Sequence, residues 1–372
     1  MKFTFAQSIM LKSIQKVIGA VSSHAPMPSL SNFYLKLDGR TLIMTSTDLE
    51  VTISAPVDLL ESEGSGGVLV QAKRFHDLIR ELPDIPLEIE VVDPFKVTLR
   101  GEGVGVYNLP GEDPIDFPEL PVIDSKLSFH LPAEIFKRMI GKTLFAVSKD
   151  EMRPVLTGIL FQLRGGEIRV VATDGHRLSR VIRQDVQFTG EPRDDIIPMK
   201  ALSLLQRNLD DEEELEIALA DTRASFSTKK QRLITRLIDG HYPKYESVIP
   251  QSNPNHLRIK MSDFMSSIRR VSIFSSQISK QIKFTLDHGK AAVEAEDPEY
   301  GGRGREEMNV DYEGEAIEIA YNASYLMDAL RQVDTEDALF ELGNSNDAGT
   351  IRPSSQADKE DFLMLLMPIR LR

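Results

Sequence analysis

The sequence predicts an α+β protein made of three tandem copies of one module, each with two helices packed on antiparallel sheet. Three observations carry this reading. A strand-then-helix pattern at residues 2–23 returns at 127–149 and at 256–276. A second strand-helix pattern at 66–82 returns at 194–209 and 315–330. Between the two, each copy carries a glycine turn and then an aspartate at the end of a strand, in the same order. No letter-for-letter identity survives, so the signal lies in the pattern, and a fixed long period is the mark of a repeat architecture.

The elements follow in order. The first helix is amphipathic: Met10, Ile14, Val17 and Val21 recur at three- and four-residue spacing and form one apolar face. A hairpin follows, signalled by Asp38-Gly39, Gly165-Gly166 and His288-Gly289 between alternating apolar runs. Next come Asp48, Asp174 and Asp297, spaced by 126 and 123 residues. In the second strand-helix pattern, Lys73, Lys200 and Ala323 are spaced by 127 and 123. Proline-rich stretches at 113–126 and 240–256 separate the copies and place domains at 1–125, 126–252 and 253–372. Sheet with helices on one face is a standard layered solution to burying an apolar surface.

Composition excludes several classes. The chain has 372 residues and no cysteine, so disulfides, thiolate catalysis and cysteine metal sites are absent, which suits a reducing cytoplasm. The N-terminus carries no long apolar stretch of the signal-peptide kind, and the run Phe362–Met367 is far too short to span a bilayer. No P-loop or GxGxxG pattern is present, so ATP use is not expected; no cofactor and no metal are expected either. Asp174 and His176 suggest an acid/base pair, but no nucleophile or metal set accompanies them, and an enzyme is not expected. Gly301–Arg305 reads as a mobile loop and Asp210–Glu214 as a solvated one.

The net charge of −13 argues by itself against nucleic acid. Its distribution argues the other way. The six candidate helices together carry +8, which leaves −21 for the remainder of the chain. Either lysine and arginine sit there as good helix formers, or the helices share a surface that faces a polyanion.

Specific residues then carry a family resemblance. The run Val171-Ala-Thr-Asp-Gly-His-Arg-Leu178 resembles the signature of the bacterial DNA polymerase III beta subunit family, the processivity sliding clamps. Met1–Thr4, Ser46–Glu50, Tyr242–Tyr245, Val248–Pro250 and Met367–Leu371 resemble it too, in order and over the whole length. The resemblance implies a three-domain subunit that forms a head-to-tail homodimer, a closed ring with helices lining the hole. It implies a non-catalytic, cytoplasmic factor that encircles double-stranded DNA without sequence specificity. The implied protein partners are the DNA polymerase III catalytic subunit, the clamp loader complex and other proteins with a clamp-binding motif.

Three sets of site residues follow from that resemblance. The DNA-facing candidates are Lys12, Lys16, His24, Arg74, Lys137, Arg138, Lys142, Lys149, Lys200, Arg207, Arg269 and Arg270, each of which could instead be an ordinary solvated helix residue. A peptide-binding pocket between the second and third domains falls on Leu156, Thr173, Gly175, His176, Arg177, Leu178, Pro243, Val248, Leu365, Met367, Pro368, Ile369 and Arg370. In it, Arg177 and Arg370 would fix the peptide at the rim. The dimer interface falls on Val104, Val106, Tyr107 and Leu109 against Ile273 and Phe274, with domain core as the alternative for the apolar members. Ser247, where relatives often carry Arg, and the extra Arg372 depart from the family pattern and bear on peptide preference. A repeat scaffold that binds only peptides is the rival reading.

Overall fold

In the computed structural model, which describes residues 1–22, 27–125, 127–188, 190–299 and 301–371, the strand-helix pattern occurs six times. The helices are α1 (Gln7–Val17), α2 (Ala72–Glu81), α3 (Ala133–Leu144), α4 (Met199–Asn208), α5 (Met261–Val271) and α6 (Ala323–Leu330). Each directly follows a strand of five or six residues, without an intervening loop. Two starts show why the chain turns there. Gln71 Oε1 accepts from Arg74 N at 2.7 Å, and Asn322 Oδ1 accepts from Ser324 N and Tyr325 N, so these side chains satisfy amides that the first turn leaves unpaired. On α1 the predicted face is buried: Met10, Ile14 and Val17 are all fully enclosed. The helix stops at Val17 and a short 3-10 turn, Ile18–Ala20, carries the chain on, so Val21 lies beyond it.

The described chain forms two compact units, Met1–Lys137, Phe188–Gly190 and Lys200–Leu237 in the first, and Arg138–Gln187, Glu191–Met199 and Ile238–Arg372 in the second. The first contains one 13-stranded antiparallel sheet. In it, the strand Arg232–Arg236 pairs with Val51–Val57, so the central third of the sequence continues the sheet of the first third. The second unit contains a nine-stranded sheet and a four-stranded one. There the strand Arg177–Gln184 pairs with Glu360–Leu366, joining the central third to the last. These two ladders are why the central third divides between both units.

The three aspartates make equivalent turns. Asp48 Oδ1 accepts from Glu50 N and Val51 N, Asp174 Oδ1 from His176 N and Arg177 N, and Asp297 Oδ1 from Glu299 N. A short side chain that hydrogen-bonds amides two and three residues on makes a tight strand-to-strand corner. Gly175, inside one such corner, has a φ of 91° that a side chain would resist.

The reading of Gly301–Arg305 as a loop is corrected: Gly302–Asn309 is a strand, paired along its length with Lys290–Asp297. Its glycines make room for an aromatic ring. A Cβ on Gly304 would lie 2.6 Å from Phe274 Cδ2.

Candidate peptide groove and cationic helices

The second unit holds a buried apolar cluster next to the candidate peptide residues. Leu160, Val171, Leu178, Ile196, Tyr245, Ala348 and Leu365 form one apolar cluster, with Val155, Ile238, Tyr242 and Ile249 packed against it. Leu178 and Leu365 face each other across the ladder of the two strands that meet there. Among the candidate peptide residues, Val248, Met367, Pro243, His176 and Arg370 are exposed. Backbone bonds fix the last residues: Met367 N donates to His176 O at 2.8 Å, and Ile369 N to Ala320 O at 2.7 Å. Tyr242 Oη accepts from Thr173 N at 3.0 Å, and burial pushes its phenol pKa upward. Burial also pushes Tyr245 up to about 12, and its hydroxyl donates to Gln162 Oε1 at 2.7 Å. Both phenols therefore stay neutral and serve as fixed hydrogen-bonding parts of this packed region.

Four expectations about individual groove residues change. Leu156, Leu178 and Leu365 are 5%, 1% and 2% exposed, so they are enclosed and present no open apolar surface, Leu178 and Leu365 as members of the buried cluster. Arg177 is not a free rim cation. Its Nε donates to Asp174 Oδ2 at 3.0 Å and its Nη1 to Asp328 Oδ2 at 2.8 Å, with the guanidinium 4.4 Å from the Tyr325 ring centre. It therefore positions the 174–177 corner. Thr173 Oγ1 donates to Arg177 O and accepts from Gly175 N, and Pro368 and Ile369 are half-buried beside the exposed Met367 and Arg370. Asp174 is fully engaged by the corner amides and Arg177, while His176 stacks on Tyr325 at 6.1 Å, so the pair is not arranged for proton transfer. Sequence reasoning missed Asp328 and Tyr325, whose link to Arg177 spans 151 and 148 residues.

The helix cations fall into two groups. One group is paired internally. Lys137 contacts Asp211, Lys200 contacts Asp48, and Arg270 makes a two-pronged contact with Glu306 at 2.6 Å. Arg138 grips Glu360 with two bonds of 2.9 Å and reaches Asp334 at 2.6 Å. Lys142 is 5% exposed, lies 3.3 Å from Asp334 and 3.6 Å from Glu360, and sits over the Phe362 ring. The expectation that Lys142 faces phosphate is corrected: a buried ammonium held by two carboxylates does not present itself to a ligand. The second group comprises Lys12, Lys16, Arg74, Lys149, Arg207 and Arg269, which form no ion pair among the described residues. His24 and Arg372 lie outside the described residues.

The interface candidates divide as well. Val106, Ile273 and Phe274 are exposed at 63%, 74% and 41%, whereas Val104 and Tyr107 are half-buried. Leu109 is 8% exposed, which corrects its placement to the core. Tyr107–Pro110 pairs on one side with Lys96–Leu99, and the neighbouring strand reaches only Gly111 and Glu112. In the second unit Gly302–Asn309 pairs on one side only. Each is an edge with open backbone groups, a template for a further strand.

Known proteins with the same features can now be placed beside this chain. Residues 1–121, 130–244 and 246–370 match the N-terminal, central and C-terminal domains of the DNA polymerase III beta subunit. Beta sliding clamps of Halalkalibacterium halodurans and Pseudomonas aeruginosa are each 31% identical over the full length of both chains. The crystal structure of the P. aeruginosa clamp bound to griselimycin superposes with a TM-score of 0.94 at 30% identity, covering all of both chains. The Bacillus subtilis clamp superposes with a TM-score of 0.93 at 27% identity, also over both whole chains. The chain belongs to the DNA polymerase III beta subunit family, the bacterial sliding clamps.

Proposed function

We propose that this chain is a processivity factor of the cytoplasm. Two copies close head to tail into a ring around duplex DNA, and the groove tethers the replicative polymerase, the clamp loader and other proteins that carry a short clamp-binding peptide. The observation that carries the reading is the in-order match of all three family domains over the whole chain. The breaks between those matches, at 122–129 and 245, support domains of 1–125, 126–252 and 253–372.

The physics of such a clamp is topological. A closed ring is held by linkage, so each phosphate contact can stay weak, and weak, sequence-independent contacts permit sliding. Ring closure pairs two different edges, Tyr107–Pro110 of one copy with Gly302–Asn309 of the next, with Val106, Ile273 and Phe274 alongside. A heterologous contact of this kind closes when the rotation per subunit permits. In the groove, Val248, Met367 and Pro243 cover a peptide's apolar side chains, and methionine adapts to more than one partner. Arg370, unlike Arg177, has no ion pair among the described residues and faces solvent, so it is the cation that meets a peptide carbonyl or carboxylate.

Loading on nicked circular DNA tests the ring. Protein that stays on closed circles through a salt wash and leaves on linearisation behaves as a ring; protein that leaves closed circles equally fast is a scaffold. The double variant Met367→Ala, Arg370→Ala should lose binding to a peptide from the cognate polymerase and keep its retention on circles. Unchanged peptide affinity would remove those two residues from the groove.

A further inference from the structure

The chain has 13 methionines and no cysteine, so thioether sulfur is its only oxidisable sulfur and no thiol competes for an oxidant. Among the described residues, Met10, Met44, Met139 and Met364 are enclosed, whereas Met152 is 88% and Met367 41% exposed. Met364 and Met367 lie three residues apart near the same chain end, yet only the second is open to solvent.

Both exposed thioethers are pinned to one corner of the second unit. Met367 N donates to His176 O at 2.8 Å, and Ile369 N donates to Ala320 O at 2.7 Å, so the backbone on either side of Pro368 is fixed. Met152 tops a turn closed on Asp150: Met152 N donates to Asp150 Oδ1 at 3.0 Å, and Arg153 Nε to Asp150 Oδ2 at 2.8 Å. The Arg153 guanidinium lies against Gly175, where an added Cβ would be 3.3 Å from Nη1. The turn at 150–153 and the segment at 367–369 therefore flank the same 174–177 corner, the corner that the proposed function gives to a peptide.

We propose that Met152 and Met367 are a pair of oxidation sites, and that their conversion to sulfoxides by hydrogen peroxide weakens docking of an apolar peptide at this corner. The proposal rests on the peptide reading of the corner and adds its regulation. In the step, a sulfur lone pair attacks one oxygen of the peroxide. An S–O bond forms as the O–O bond breaks, and the departing hydroxide takes the proton of the transferred oxygen and leaves as water. Sulfur is oxidised by two electrons and the peroxide is reduced by two. The product is polar and chiral where the thioether was apolar and adaptable. A peptide side chain that covers it must strip water from the new oxygen without replacing the hydrogen bond. No charge changes, so retention on closed circles is expected to stay as it was.

The test is fluorescence anisotropy of a labelled peptide from the cognate polymerase, with the full protein before and after hydrogen peroxide, and with mass mapping of every methionine. Met152 and Met367 should each gain an oxygen before Met10, Met44, Met139 and Met364 do. Peptide affinity should then fall at least about tenfold, the scale of losing one buried methionine side chain. Treatment with methionine sulfoxide reductase should restore it. The variant Met152→Leu, Met367→Leu should keep whatever affinity it starts with through the same treatment, although the exposed Met27 and Met199 remain. The readout is the ratio before and after peroxide, not the starting affinity. Where that variant binds too weakly to follow, Met152→Leu and Met367→Leu singly read the same ratio, and each should fall by less than the parent. A parent affinity that is unchanged with both sulfoxides formed overturns the proposal and leaves the peptide reading standing. So does a fall in the double variant as large as the parent's, or a loss that the reductase does not reverse. A parent that does not bind the peptide before treatment refutes the peptide reading and the proposal together.

Discussion

The cations of α3 and those lining a cavity of about 820 Å3 beside α1 and α4 look alike in the sequence and have opposite surroundings. On α3, Lys137, Arg138 and Lys142 each have a carboxylate within ion-pair distance. In the cavity, Lys12, Lys16, Arg207 and Lys229 have none among the described residues. A charge summed along a helix cannot separate these cases, because the neutralising groups, Asp211, Asp334 and Glu360, are supplied by distant parts of the chain. The difference teaches that basic helices in an acidic protein are of two kinds, those whose charge is neutralised within the fold and those whose charge has no ion-pair partner among the described residues.

The largest expected effect breaks the α3 side of this comparison. Glu360 has a side chain only 3% exposed and serves both Arg138 and Lys142. Glu360→Ala leaves a buried ammonium with Asp334 as its one remaining carboxylate. Removing one partner of a buried pair costs about 3 kcal/mol or more, because the other charge stays desolvated. Urea unfolding should show a loss of that size, while Lys12→Gln, at an exposed and unpaired position, should stay within about 0.5 kcal/mol of the parent. Equal stability of the two variants would erase the distinction between paired and unpaired cations.

A second prediction carries the comparison to the proposed peptide site, where Arg177 is engaged and Arg370 has no ion pair among the described residues. Arg177→Ala removes the link from Asp174 to Asp328 and the stacking on Tyr325. The corner keeps its backbone bonds to Asp174, so the expected outcome is a looser His176–Leu178 segment and about tenfold weaker peptide binding, about 1.4 kcal/mol. Arg177→Lys should not rescue it, since an ammonium cannot fork between two carboxylates while lying flat on a ring. Full activity of the lysine variant in peptide titration would show that charge alone suffices.

How much of this was legible in the sequence follows the range of the interactions involved. The six strand-helix units are local patterns of apolar spacing, and all six are present with the expected order. The aspartate corners are local too, since each acceptor meets amides two or three residues away. The pairing of Val51–Val57 with Arg232–Arg236, and of Arg177–Gln184 with Glu360–Leu366, joins segments well over a hundred residues apart, and no periodicity encodes it. Long-range pairing also decided which candidate leucines became enclosed and which cations became internal partners. Gly302–Asn309 misled for a different reason. Its glycines suggested a loop, but they are small because Phe274 lies against that face of the strand.

The smallest predicted effect sharpens the α3 side through pH. Burial lowers the Lys142 pKa from 10.5, and Arg138 lowers it further, while Asp334 and Glu360 act in the opposite sense. The sign follows from proton counting. Between the lowered folded value and 10.5 the unfolded chain holds a proton that the folded chain has released, so unfolding takes up a proton and rising pH favours the folded state. Below that window the bound proton is a net burden on the fold, present in full at neutral pH. Lys142→Met keeps the aliphatic stem over Phe362 and removes the titration. The stability of the parent relative to this variant should therefore increase as pH rises towards 10.5 and be flat near neutrality, measured by urea unfolding at matched ionic strength. Subtracting the variant removes the contribution of Tyr242 and Tyr245, whose phenols ionise near pH 10 only in the unfolded chain. A difference that instead shrinks with rising pH would mean that attraction to Asp334 and Glu360 outweighs burial, and that Lys142 is a net stabilising cation in the way Arg138 is.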